Sequence, residues 1–228
     1  MPLNLTQLAN KYHSDKGTTS GDPPHKYTYL YDLILDKYIT KAINFLELGL
    51  AVGGPEVGGP VDRTIDSPSI RMWLEYFPLA HIFGFDISDF SHMSNPRFSF
   101  VRGDGGNRED FVRLANAATH FNAIIDDGSH ASLHQQLALS VLFPKMADDG
   151  IYIIEDLQWQ SPTYEDKLMI LPKTGEFLIK YFVEDQYVEN PILSESMMIS
   201  IKKRIRSFAW FPSFYGNSPI PKLFLLRT

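Results

Sequence analysis

Strand-like runs alternating with helix-like stretches predict an α/β protein with a Rossmann-like, doubly wound, mostly parallel sheet. Three observations carry that expectation. Short apolar runs recur over residues 42–48, 81–85, 98–101, 123–125 and 150–154. Capped or amphipathic segments separate them, so strand and helix alternate four times. The runs also end in carboxylates, at the strand edge where open α/β sheets bind ligands.

Taken in order, residues 3–11 place Leu5, Leu8 and Ala9 at helical spacing. The polar segment from Tyr12 to Gly17 reads equally as a ligand-facing stretch and as a solvated loop. After Pro24, residues 25–38 form a helix whose stripe (Tyr27, Leu30, Tyr31, Ile34) belongs to the core rather than to a ligand. The first strand, 42–48, runs into Glu47-Leu48-Gly49, and glycines there let a ligand approach the backbone. The dinucleotide fingerprint is absent, because Ala51 stands in place of its second glycine. Residues 55–66 are too polar and irregular for an element. Ser67 and Pro68 then start a helix over 70–76, as N-cap and first helical residue.

The second strand closes on Asp86, where an acid can accept bonds from ribose hydroxyls. The third ends near Asp104, and Asn107 caps a helix running to Ala118. The central strand empties into Asp126-Asp127-Gly128-Ser129-His130. Residues 132–143 follow as an amphipathic helix on Leu133, Leu137 and Val141, with His134 in an outer or solvent-exposed role. The fifth strand ends in Glu155-Asp156. Four carboxylates and an imidazole on one rim repel one another unless neutralised, which points to a divalent metal.

Beyond Asp156 the alternation breaks down. Residues 157–174, with Trp159, Pro162 and Tyr164, read as an irregular lid or an interrupted helix, and 176–184 as a helix. Residues 205–211 and 223–226 read as an antiparallel pair joined by 212–221, making seven strands. Lys202, Lys203, Arg204 and Arg206 fit a solvated strand entry. No internal repeat or linker divides the chain, so one domain is expected over residues 1–228.

Composition narrows the partners. With 21 Lys+Arg against 27 Asp+Glu, the net charge of −6 gives no electrostatic case for nucleic acid. The absence of cysteine excludes disulfides, thiol nucleophiles and Cys-type zinc sites. No signal pattern opens the chain and no apolar run approaches the ~20 residues of a membrane span, so a cytoplasmic protein without a membrane partner is expected. Aromatic residues concentrated in the C-terminal third suggest a surface for a flat or ring-shaped partner.

Several segments together resemble one branch of the class I S-adenosylmethionine-dependent methyltransferases. They are Lys11-Tyr12-His13-Ser14-Asp15-Lys16-Gly17, Phe45-Leu46-Glu47-Leu48-Gly49, Arg71-Met72-Trp73, Gly84-Phe85-Asp86-Ile87, Ile125-Asp126-Asp127-Gly128-Ser129-His130 and Ile153-Ile154-Glu155-Asp156-Leu157. The chain is similar, over roughly residues 5–160, to the macrocin and mycinamicin sugar O-methyltransferase family. That resemblance implies magnesium-dependent transfer of a methyl group from S-adenosylmethionine to a sugar hydroxyl of a glycosylated natural product or nucleotide sugar. It implies Asp127, Glu155 and Asp156 as Mg2+ ligands and His130 as general base. Glu47, Gly49, Asp86 and Asp104 fall where the family holds the cofactor, and Asp126 is assigned with them. It also implies a homo-oligomer, with 1–41 as a helical cap, 42–156 as the cofactor and metal core and 157–228 as lid and C-terminal strands. The Pro- and Gly-rich insertion after Gly49 and the missing N-terminal extension of larger members depart from the family.

The chemistry is consistent on its own terms. Methyl transfer is an in-line displacement, so alignment and a more nucleophilic oxygen are the main requirements. A hard cation lowers the pKa of a coordinated hydroxyl and a nearby His takes the proton. A catechol-like acceptor, a nicotinamide-dependent oxidoreductase and a non-catalytic methyltransferase-like domain remain as alternatives.

Overall fold

The computed structural model describes residues 3–21, 24–51, 53–61, 65–157, 159–160, 164–212 and 222–228. Seven strands form one sheet: β1 (Asn44–Leu48), β2 (His81–Asp86), β3 (Phe98–Arg102), β4 (Phe121–Asp126), β5 (Met146–Ile154), β6 (Ser207–Phe211) and β7 (Leu223–Arg227). Their spatial order is β3-β2-β1-β4-β5-β7-β6. The first five are parallel, while β7 runs antiparallel to both β5 and β6, as the sequence predicts. The strand order reverses between β1 and β4, so a crevice opens at their carboxyl ends.

Alternation along each strand feeds two cores. Leu46 and Leu48 of β1 face one side with Phe85, Phe111 and Leu139, whereas Phe45 faces the other with Tyr31 and Trp73. Helices α1 (Leu5–Tyr12), α2 (Thr28–Leu35) and α3 (Pro68–Tyr76) cover the Phe45 face. Helices α4 (Arg108–Ala115), α5 (Ser132–Leu142), α6 (Thr174–Phe182) and α7 (Glu195–Arg204) cover the opposite one. A sheet covered on both faces needs strands that are apolar almost throughout, which is how these strands read. Ser67 caps α3 with Pro68 at its first turn, and the Asn107 side chain accepts the Glu109 N–H at 3.0 Å to start α4.

Some expectations are corrected. Helix α4 stops at Ala115 rather than Ala118, because the chain must turn at Asn116 to enter β4 at Phe121. In α5 the stripe Leu133, Leu137 and Val141 packs on the core, but the rest of the helix is not solvated: His134, Gln135, Gln136 and Ser140 are buried as well. Its polar face is covered because Gln136 donates to the Pro172 carbonyl at 2.7 Å and accepts from Asn190 at 2.8 Å. His134 is therefore not solvent-exposed. Helix α7 had no sequence counterpart, since only Met198 and Ile201 on it are buried. Lys202, Lys203 and Arg204 form its last turn rather than a strand entry, where cations complement the helix dipole. Arg204 also donates to the Phe143, Pro144 and Met146 carbonyls at 3.2, 3.1 and 2.7 Å.

Among the described residues of 55–66 and 157–173, the regular structure is two single 3-10 turns, Pro55–Val57 and Glu165–Lys167. Pro162 and residues 62–64 and 213–221 lie outside the described residues. No helix among the described residues is long and apolar enough to cross a membrane.

Candidate active site

The crevice is sewn together by backbone bonds before any side chain is considered. Gly49 N–H donates to the Phe85 carbonyl at 2.9 Å, and Asp127 N–H donates to the Leu48 carbonyl at 3.0 Å. Gly49 takes φ +78°, and a Cβ there would stand 2.0 Å from the Asp127 carbonyl oxygen. Only glycine lets the loops after β1 and β4 meet so closely.

Two cavities adjoin at this seam. The smaller, about 90 Å³, is lined by Asp86, Asp104, Gly105, Asp126 and Tyr164. The larger, about 930 Å³, is lined by His13, His25, His130, Asp156, Trp159 and Lys222. Gly49, Ala51, Glu56, Asp127 and Gly128 line both.

Of the residues expected to hold a cofactor, Gly49, Asp86, Asp104 and Asp126 line the smaller cavity, whereas Glu47 lines neither cavity. Asp86 closes β2 and accepts the N–H groups of Leu50 at 2.8 Å and Ser88 at 2.7 Å, so it shapes the loop after β1. Asp104 is exposed and accepts the Gly106 N–H at 2.8 Å. Asp126 ends β4 fully within the protein, and burial pushes its carboxyl up to about 7. Glu47 points to the Phe45 face, where the Ser69 hydroxyl donates to it at 2.7 Å. Burial raises it too, to about 7, against the opposing pull of Lys16. His134 forms the wall: its Nδ1 meets Ser129 Oγ at 2.7 Å and its ring packs edge-on to Tyr164.

The acidic rim faces the larger cavity. Among the described residues, the side chains close enough to share an ion form two sets, His25–Glu155–Asp156 and Asp127–His130–Asp156. Each of the three expected metal ligands falls in one of these sets, and Asp156 is common to both. Asp127 and Glu155 fall into different sets and are bridged by Lys16, whose ammonium contacts Asp127 and donates to Glu155 at 3.0 Å. The Tyr31 hydroxyl donates to Glu155 and the Tyr27 hydroxyl to Asp156, each at 2.6 Å. Lys222 Nζ lies 3.1 Å from Asp156, while Asp156 Oδ2 sits 3.7 Å from His25 Nδ1 and 4.0 Å from His130 Nε2.

The electrostatics follow from that arrangement. Burial alone would raise the Asp156 carboxyl, but His130, His25, Lys222 and the Tyr27 hydroxyl hold it below the usual carboxylate range. Burial and the neighbouring Asp127 push Glu155 well up. Burial would lower Lys16, yet the carboxylates of Asp127, Glu155 and Glu47 keep it well above its ordinary value and therefore charged. His130 and Asp156 both adopt left-handed backbone, at φ 60° and 50°. Two non-glycine residues strained face to face are a mark of functional sites.

Sequence reasoning missed five participants, among them His25, which it read only as the start of a helix. Lys16 lay in the polar segment read with two outcomes, and it is buried. Tyr27 and Tyr31 were assigned to the core, which is right for their rings, but their hydroxyls reach the rim. Lys222 carries no sequence signal beyond its place at a strand entry.

No family model matches the chain. It is 35% identical over 158 residues to mycinamicin VI 2''-O-methyltransferase of Micromonospora griseorubida, covering 68% of this chain and 36% of that protein. It is 35% identical over 154 residues to 8-demethyl-8-alpha-L-rhamnosyl tetracenomycin-C 2'-O-methyltransferase of Streptomyces olivaceus, covering 68% and 38%. Against demethylmacrocin O-methyltransferase of Streptomyces fradiae the identity is 34%, covering 68% and 36%. The match to each of these curated relatives thus spans a little over a third of that relative's length. Among solved structures, the MycE methyltransferase from the mycinamycin biosynthetic pathway, in complex with Mg and SAH, superposes with a TM-score of 0.66 at 22% identity, over 99% of this chain and 55% of that one. A second crystal form gives a TM-score of 0.69. The chain has the class I methyltransferase fold and belongs to the macrocin and mycinamicin-type sugar O-methyltransferase family.

Proposed function

We propose that the protein is a magnesium-dependent O-methyltransferase that moves the methyl group of S-adenosylmethionine to a sugar hydroxyl of a glycosylated natural product or nucleotide sugar. The observation that carries this reading is the pair of cavities meeting at Gly49 and Asp127–Gly128, with the acidic rim beside the seam. A donor in one cavity and an acceptor in the other would meet beside the groups that activate an oxygen. One relative named above is a 2'-O-methyltransferase of a rhamnosyl tetracenomycin-C, which supports the acceptor class.

The residues suit the groups they would hold. Asp127, Glu155 and Asp156 offer hard oxygen donors, and buried Glu155 Oε2 has no hydrogen-bond partner among the described residues. Such a donor set fits Mg2+, which binds through few carboxylates and keeps positions for other oxygens. Bound there, the ion would lower the pKa of a coordinated acceptor hydroxyl. Gly49, Asp86, Asp104 and Asp126 would line the cofactor's place, with Glu47 held behind it by the Ser69 hydroxyl.

The protein's own work is alignment and proton transfer. His130 faces the larger cavity beside Asp156, and Trp159 meets its ring edge-on at 5.4 Å between centroids, which limits its rotation. As the acceptor oxygen forms its bond to the methyl carbon, the carbon–sulfur bond breaks, S-adenosylhomocysteine leaves and His130 takes the hydroxyl proton. Asp156, 4.0 Å from His130 Nε2, would steady the imidazolium so formed. A single-domain, cytoplasmic homo-oligomer is part of the same reading, and of these the oligomer rests on the family likeness alone.

The test is transfer of a labelled methyl group from S-adenosylmethionine to a panel of glycosides, nucleotide sugars and catechols, with Mg2+ or with excess chelator. Label in a glycoside only when Mg2+ is present supports the proposal. Label in catechols alone, or transfer indifferent to chelator, contradicts it.

A further inference from the structure

The N-terminal segment sends three donors into the acidic rim, and one of them carries a full charge. Lys16 is 1% exposed. Its ammonium touches Asp127 and lies 3.0 Å from Glu155 and 3.7 Å from Glu47. An ammonium so deeply buried is tolerated only when it is paired on several sides. Tyr27 and Tyr31 supply the other two donors, to Asp156 and Glu155. Backbone bonds tie the lysine to the tyrosines: His25 N–H to Asp15, Lys26 N–H to Gly17 and Thr28 N–H to Lys16, at 3.0, 3.0 and 3.1 Å. The three donors are therefore parts of one assembly, and His13, Ser14 and Asp15 of that assembly wall the larger cavity.

A divalent ion on this rim needs the carboxylates that Lys16 already holds. Like charges a few ångströms apart in a buried site repel strongly, since little water lies between them. The lysine and the ion cannot both use Asp127 and Glu155 fully. We infer that Lys16 is an internal counter-ion that competes with the divalent ion for Asp127 and Glu155, so that ion loading loosens the N-terminal segment's grip on the rim of the acceptor cavity. This rests on the metal-dependent reading given above. It makes Lys16 a positioning residue that sets ion affinity, and it accounts for a polar segment that the chemistry itself does not use.

The test is calorimetric titration of Mg2+ into the ion-free full chain, for wild type, Lys16→Met, Lys16→Gln and Lys16→Arg, with circular dichroism to establish folding. Removing the competing charge should make the Met and Gln variants bind Mg2+ at least about tenfold more tightly. Their ion-free melting temperatures should fall below wild type, and Mg2+ should raise them by more than it raises wild type. Lys16→Arg, which keeps the charge, should stay within about threefold of wild type in Mg2+ affinity. A lysine that merely braces the fold predicts the opposite, weaker binding in both neutral variants. Equal or weaker Mg2+ binding by a folded Met or Gln variant overturns the role of Lys16 while leaving the metal reading intact. Should Lys16→Met not fold without ion, Lys16→Gln decides. Uptake of Mg2+ by none of the four proteins overturns the metal reading and this inference together.

Discussion

Gly49→Ala is the substitution whose cost can be worked most directly from the structure. The backbone at Gly49 sits at φ +78°, a conformation that costs an L-residue about 1–2 kcal/mol. The added Cβ would stand 2.0 Å from the Asp127 carbonyl oxygen and 2.8 Å from the Gly128 Cα, both main-chain atoms that cannot rotate away. Contacts of that kind under 3.0 Å are essentially never seen, so the two loops must part by about 1 Å. Parting them breaks the Asp127 N–H to Leu48 bond and moves the carboxylate that both cavities share. A displacement of about 1 Å at an alignment-dependent site costs on the order of 100-fold in turnover. Urea denaturation should show a loss of at least about 2 kcal/mol. Titration with S-adenosylhomocysteine should show weaker binding as well. A Gly49→Ala protein within about 0.5 kcal/mol of wild type and binding the ligand normally would refute the close loop contact on which the site is built.

Other expectations follow from single groups. His130→Ala should abolish turnover while S-adenosylhomocysteine binding stays near wild type; wild-type activity in that variant would remove His130 as the base. Asp156→Asn should lose Mg2+ affinity in calorimetry along with turnover, since Asp156 belongs to both ion-sized sets. Tyr31→Phe takes the 2.6 Å donor from buried Glu155 and should cost about 1–3 kcal/mol in chemical denaturation. For His134, burial lowers the imidazole from 6.5 to about 4. The unfolded chain therefore takes up the proton first, and stability present above pH 6.5 is lost as pH falls towards 4, by about 3 kcal/mol. His134→Gln should flatten that acid limb, and an unchanged limb would show that the imidazole is not buried neutral.

How much was legible in the sequence depended on whether a signal was local. Strand ends were, because a buried parallel strand is an apolar run that must stop, and Asp86, Asp126–Asp127 and Glu155–Asp156 mark the stops. The caps at Ser67 and Asn107 were legible for the same reason. The polar side of helix α5 was misread because its burial comes from Pro172, Asn190 and the 155 carbonyl, all remote in sequence, and polar Gln135 and Gln136 disguise a buried face. Lys16 was undecidable from sequence, since a lysine looks solvated until the carboxylates 31, 111 and 139 residues away are seen to surround it. Tyr27 and Tyr31 show the limit of a core-or-site choice: the rings are core and the hydroxyls are site.

The central claim is that the adjoining cavities serve methyl transfer. Calorimetric titration of the folded protein with S-adenosylhomocysteine, with and without Mg2+ and with NADH as comparison, tests it most directly. The account predicts saturable binding of S-adenosylhomocysteine near one per chain and none of NADH. A folded protein that takes up no S-adenosylhomocysteine under either condition would contradict it.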